Sequence, residues 1–214
     1  MINFYLKRIS FFSLFIFSLT NLRAQSTDFA TWSAIEINHP FNKKTDFRFT
    51  EQLRLNNGSS SYKVSYSDFG LSYKISKHFS VAANYRLNIT PIDLQHRFYA
   101  DASVSQKINK LSGSFRLRFQ KQFEIANNPT NYLRPKFSFK YKLSKQIVPY
   151  TAFESGYRIY NKGNRFDFYR IYLGSSFNLS KFMSMDLYYL LSGEFNVNDP
   201  TTTHIAGLTL AFDL

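Results

Sequence analysis

Apolar and polar residues alternate with a period of two along most of this chain. Between residues 111 and 125, Leu111, Phe115, Leu117, Phe119 and Phe123 hold odd positions, while Ser112, Ser114, Arg116, Arg118, Gln120, Gln122 and Glu124 hold even ones. The next segment repeats this, with Leu133, Phe137, Phe139, Tyr141 and Leu143 set against Arg134, Lys136, Ser138, Lys140 and Lys142. Phe79, Val81, Ala83, Tyr85, Leu87 and Ile89 alternate with Asn84, Arg86 and Asn88 in the same way. A period of two places one set on each face of a β-strand. Counted along the chain, the pattern predicts eleven strands at 29–39, 45–56, 63–75, 79–90, 97–108, 111–125, 132–143, 147–160, 166–179, 183–195 and 203–214.

Five short lysine-bearing turns separate these strands in pairs: Asn42-Lys43-Lys44, Ser76-Lys77-His78, Asn109-Lys110, Ser144-Lys145-Gln146 and Ser180-Lys181-Phe182. Their lysines recur about every 33 to 36 residues, one hairpin plus one longer connection each. The opposite connections, at 57–62, 90–96, 126–131, 161–165 and 196–202, are rich in Asn, Gly, Pro and Ser, as exposed turns require. Strands of 12 to 14 residues with aromatics near both ends suit a membrane, which needs about 9 to 11 tilted residues. The expected fold is an all-β, antiparallel, transmembrane up-and-down β-barrel of 10 to 12 strands. Single-chain bacterial barrels have even strand counts. Strands 45–56 through 203–214 would make ten, with 29–39 inside the lumen or capping an end, unless one further strand makes twelve.

The start of the chain reads as an export signal. Lys7 and Arg8 precede eleven apolar-rich residues, Ile9 to Leu19, too short to cross a bilayer, and Ala24 offers a cleavage point before Gln25. Residues 1–24 are therefore expected to be a signal peptide and 25–214 a single outer-membrane barrel domain. No cysteine follows, which excludes a lipid anchor, disulfides and thiolate chemistry. The final strand alternates Leu208, Leu210, Phe212 and Leu214 to the last residue, as in the signal read by barrel-insertion machinery during biogenesis. The surrounding partners are then outer-membrane lipid and lipopolysaccharide. The lysine turns, with Lys77, Lys110, Lys145 and Lys181, are expected on the periplasmic side.

A signal peptide ending Ala24-Gln25, Phe29-x-x-Trp32, Glu51-Gln52-x-Arg54, the recurrent lysine turns and Glu154-x-x-x-Arg158 together resemble domain of unknown function 2490, across nearly all of 25–214. The resemblance implies an outer-membrane barrel of Gram-negative bacteria and brings no catalytic residues.

Net charge is +13, and +10 without Lys7, Arg8 and Arg23. Cations that alternate singly with apolar residues, instead of clustering in a stripe, argue against nucleic acid. They suit a polar lumen. Candidate lumen-lining residues are Arg86, Arg116, Arg118, Glu124, Arg134, Lys136, Glu154 and Arg158, with Arg118 and Arg116 expected to pair with Glu124 or Glu154. Such a lumen either closes on itself through ion pairs or passes small anions. Glu51 breaks the parity of its strand, and a bulge turning it into the lumen is expected. Lys121 and Arg170 also stray, near the outer strand ends, where they can snorkel. The rival function is a lipid- or lipopolysaccharide-modifying enzyme, for which His96 with Ser103 or Ser105 on one strand is the suggestive grouping. No paired histidine spacing points to a metal, and no cofactor is expected.

Overall fold

The computed structural model describes residues 26–124, 129–159 and 164–214. The expected signal peptide, and Asn128 and Asn161 of the long connections, lie outside the described residues. Within them the chain forms eleven strands: β1 (Ser26–Pro40), β2 (Thr45–Asn56), β3 (Ser61–Lys74), β4 (Phe79–Ile89), β5 (Leu94–Ile108), β6 (Leu111–Phe123), β7 (Thr130–Tyr141), β8 (Ile147–Ile159), β9 (Arg165–Asn178), β10 (Met183–Glu194) and β11 (Thr201–Asp213).

Each strand pairs antiparallel with its sequence neighbour, and the sheet closes where β1 meets β11. That seam is parallel, running from Ser26 opposite Thr201 to Asn38 opposite Asp213. Parallel closure follows from the odd count, because the first and eleventh strands of an up-and-down meander run the same way. The even-count expectation therefore fails. Residues 29–39 are a wall strand, neither plug nor cap, because β1 bonds to β2 on one edge and β11 on the other. Closure leaves no free sheet edge.

The recurrent lysine turns have a common local cause. In four of the five tight turns the first polar side chain accepts backbone N–H groups within the turn. Asn42 Oδ1 takes those of Lys44 and Thr45 at 2.8 and 2.9 Å, and Ser76 Oγ takes those of His78 and Phe79. Ser144 Oγ does the same for Gln146 and Ile147, and Ser180 Oγ for Phe182. The two-residue turn at Asn109-Lys110 instead uses the left-handed region, with Asn109 at φ 53°.

The faces separate as the alternation predicts. Phe69, Phe98, Phe119, Phe137, Phe153 and Leu173 stand exposed around the outside, a continuous apolar belt much larger than the few hundred Å² a soluble surface carries. Exposed rings collect towards both ends, with Phe29, Tyr62 and Phe166 at one and Phe41, Tyr73 and Phe182 at the other. On the inside every strand contributes at least one buried side chain: Ala30, Gln52, Tyr66, Asn84, Tyr99, Arg118, Arg134, Glu154, Asp167, Leu190 and Ile205. Nearer the lysine turns the inward residues are small and more open, with Ser105, Ser114 and Ser138 opposed in register across β5, β6 and β7.

Two rings lie flat on the inner wall over glycines. A Cβ at Gly207 would sit 2.0 Å from the Tyr188 ring, and one at Gly156 would sit 2.0 Å from Phe168. The wall needs glycine at both places for this close approach.

Candidate functional site

The lumen holds a cavity of about 410 Å³ beside the buried inward side chains. Nine cationic side chains line it: Arg54, Arg86, Arg97, Arg116, Arg118, Arg134, Lys136, Arg158 and Arg170. Only Glu124 and Glu154 face them among its lining residues. Three further carboxylates, Asp68, Asp101 and Asp167, are buried against the wall.

The strands set these contacts by register. Arg118 lies opposite Asp101 and grips it through both ends of its guanidinium, Nε donating at 2.7 Å and Nη2 at 2.8 Å. That bidentate geometry is the strongest form of this pair. Arg86 lies opposite Asp68, with Nε donating at 2.5 Å, and Tyr99 donates its hydroxyl to the same carboxylate. Arg158 Nε lies 2.7 Å from Asp167 Oδ2, which also accepts from Tyr132 at 3.0 Å. Glu154 receives Arg116 Nη2 at 2.8 Å and both Nε and Nη2 of Arg134, while Arg170 Nη1 stands 3.6 Å away.

Two of the guanidiniums that line the cavity have no carboxylate within ion-pair distance among the described residues. Arg54 stacks 3.7 Å above the Trp32 ring and donates to Gln52 at 2.7 Å. Arg97 donates to Gln122, whose amide in turn donates to Glu124 at 2.6 Å. Arg97 also stands directly opposite Arg86 in register, a like-charge pair that is unfavourable on its own.

Eight of the nine lumen candidates, all but Glu51, thus line one cavity. Glu51 does not enter it. The register of β2 against β3 is regular through residue 51, and the irregularity falls later, between Arg54 and Leu55. Glu51 therefore stays on the outward face with Leu53 and accepts a hydrogen bond from Ser67 at 2.6 Å. Arg170 departs from expectation in the opposite sense. A register shift between Gly156 and Tyr157 rephases β9, so Arg170 turns inward to Glu154 instead of snorkelling outward. Arg118 pairs with Asp101, not with Glu124 or Glu154.

Sequence parity left out Trp32 as a cation platform and Asp167, whose inward position depends on that same shift. The even-numbered run Ala30, Trp32, Ala34 in β1 carried the signal for Trp32.

The histidine grouping does not assemble. His96 Nδ1 contacts the Tyr85 hydroxyl at 2.9 Å beside the outward-facing Phe98. Ser103 and Ser105 have the opposite parity on β5 and stand in register with the inward-facing Arg116 and Ser114. His204 makes an equivalent contact with Tyr189. Among the described residues no three His, Cys, Asp or Glu side chains converge as a metal site.

A closed barrel with an apolar outside and a charged, partly filled inside defines the porin-like class, the fold typical of outer-membrane proteins. The chain belongs to the DUF2490 family, described as a protein of unknown function, whose model matches residues 29–203. No curated protein matches by sequence. Among solved structures, the NanC porin shares 8% identity over 82% of this chain and 93% of its own, with a TM-score of 0.52. The KdgM porin shares 16% over 74% of this chain and 81% of its own, at 0.47. The outer-membrane protein OmpT of Vibrio cholerae shares 11% over 71% of this chain at 0.42, and this chain spans 56% of its length. These likenesses bear on the fold alone.

Proposed function

We propose that this protein is a narrow outer-membrane channel favouring small anions. The observation that carries the reading is the cationic excess around the cavity: nine cations line it, against two lining carboxylates and three more, Asp68, Asp101 and Asp167, buried behind Arg86, Arg118 and Arg158, with Arg54 and Arg97 lacking carboxylate partners among the described residues. Inside a low-dielectric wall such an excess attracts anions and repels cations. The buried side chains that every strand sends inward keep the passage narrow, so the solutes are small.

The same reading supplies a biogenesis. Residues 1–24 are removed as a signal peptide near Ala24, and insertion machinery reads the last strand. The apolar belt then contacts outer-membrane lipid, with lipopolysaccharide around the outer rim. The lysine turns face the periplasm, and the longer connections face out. Cysteine introduced at position 199 should react with an impermeant maleimide on intact cells, whereas cysteine at 110 or 145 should not. Purified protein reconstituted into liposomes with equal potassium chloride on both sides should exchange labelled chloride faster than labelled potassium. Equal exchange of both would refute the anion preference, and exchange of neither would refute the channel.

A further inference from the structure

Along one row of the wall, Arg116, Lys136, Glu154 and Arg170 are successive register partners on β6, β7, β8 and β9. Opposed side chains of neighbouring strands lie about 5 Å apart. Three cations and one carboxylate are thus immediate neighbours, and Arg134 reaches the same carboxylate from two residues along β7.

This node differs from every other lumen pair. Asp68, Asp101 and Asp167 each have one guanidinium within ion-pair distance. Glu154 has three, from β6, β7 and β9, and is 1% exposed. Even so the node holds four cations for one anion. Arg116 Nε is buried there without an acceptor. Surplus charge crowded into a narrow lumen and an unmet buried donor are both unfavourable, and one small oxyanion would answer both.

We propose that this node binds a small oxyanion, a phosphate or a carboxylate, and that Glu154 is the resident counter-anion that keeps the binding weak enough for release. The proposal rests on the channel reading. Passage needs a site attractive enough to enter and weak enough to leave. Glu154 is tethered to β8 and cannot depart, so it divides the attraction of Arg116, Arg134 and Arg170 with whatever arrives. Without its charge, a place of transit becomes a trap.

The test compares folded wild-type protein and Glu154→Gln in detergent, titrated with inorganic phosphate, with acetate as the carboxylate probe and chloride as the ionic-strength control. The readouts are the temperature at which the folded gel band converts to the unfolded one, and chloride current across a planar bilayer. Glu154→Gln should be less heat-stable in chloride, and phosphate should restore it. Its half-saturating phosphate concentration should fall at least about tenfold below wild type, the scale of one charge-assisted hydrogen bond. Phosphate should also block its chloride current at concentrations that leave the wild-type current intact. A stronger response to phosphate than to acetate assigns a phosphate site, and the reverse assigns a carboxylate site. Adding Arg116→Gln to Glu154→Gln should abolish the effect. Unchanged or weaker phosphate affinity in Glu154→Gln, or an effect that survives loss of Arg116, overturns the proposal. If Glu154→Gln does not fold, Glu154→Asp, with its shorter reach, must itself tighten phosphate several-fold, and no change there refutes the idea. A wild type that carries no anion current while Glu154→Gln still binds phosphate tightly would end the channel reading and leave the site standing. Anion current without tighter binding would do the opposite.

Discussion

From β3 to β9 the lumen wall is built of arginines and carboxylates held in register, whereas at the seam of β10, β11 and β1 it carries an apolar cluster. Leu190, Ile205, Ala30 and Trp32 pack together there, with Tyr172 and Tyr188 against them. Trp32 joins the two walls, its ring meeting Arg54 at 3.7 Å and Arg170 at 5.6 Å. The contrast shows how one narrow barrel is filled by two kinds of packing. On the charged wall a residue stays buried only while its partner is present, because an uncompensated buried charge is unfavourable. On the apolar wall packing volume matters and partners do not. The charged wall leaves an excess of cations facing the cavity.

If the walls differ in this way, the largest loss should come from breaking one ion pair on the charged side. Asp68→Asn strands Arg86 and weakens the Tyr99 contact, and should cost about 3–5 kcal/mol of stability. Urea unfolding in lipid vesicles measures it, and a loss under 1 kcal/mol would mean that water already screens the pair. On the apolar side, Leu190→Ala removes a side chain that is 0% exposed and should cost about 2–4 kcal/mol through the cavity it leaves. Its ion selectivity should match wild type, because no charge is touched. The third change is smaller and opposite in sign. Glu51 faces outward, so Glu51→Gln should stabilise the barrel by about 1 kcal/mol or less while keeping a partner for Ser67. Measurable destabilisation would instead place Glu51 in a polar contact that matters. The seam itself can be tested without any change in stability. Parallel closure puts Ser26 level with Thr201, at the rim opposite the lysine turns, and the end of β11 beside Asn38. An epitope inserted between Gln25 and Ser26 should therefore be stained on intact cells, and one after Leu214 should not. Staining of both or neither would break the eleven-strand closure as a description of the cellular form.

Most of the wall was legible because a period of two is a local property. Arg116, Arg118, Arg134 and Glu154 could be placed inward from their own strands alone. What parity could not give was phase across a bulge. Arg170 and Asp167 depend on the register shift at Gly156 and Tyr157, and Glu51 depends on the absence of one where it was expected. Partner choice was equally hidden. Arg118 meets Asp101 because β5 and β6 are aligned so that those two residues oppose, and alignment is fixed by turns at the strand ends. The parallel seam was out of reach for a related reason. Nothing in β1 differs from a strand that pairs antiparallel, and only closure of the whole sheet decides its partner.

The central claim is that the cationic excess of the lumen selects the sign of what passes. The most direct measurement is the zero-current potential of single channels in a planar bilayer under a tenfold potassium chloride gradient. It should be taken for wild type and for the double variant Arg54→Gln, Arg97→Gln, whose guanidiniums lack carboxylate partners among the described residues. Wild type should show the sign of an anion-favouring pore, and the double variant should move towards zero while the conductance persists. A cation-favouring potential in wild type, or a double variant indistinguishable from it, would contradict the account.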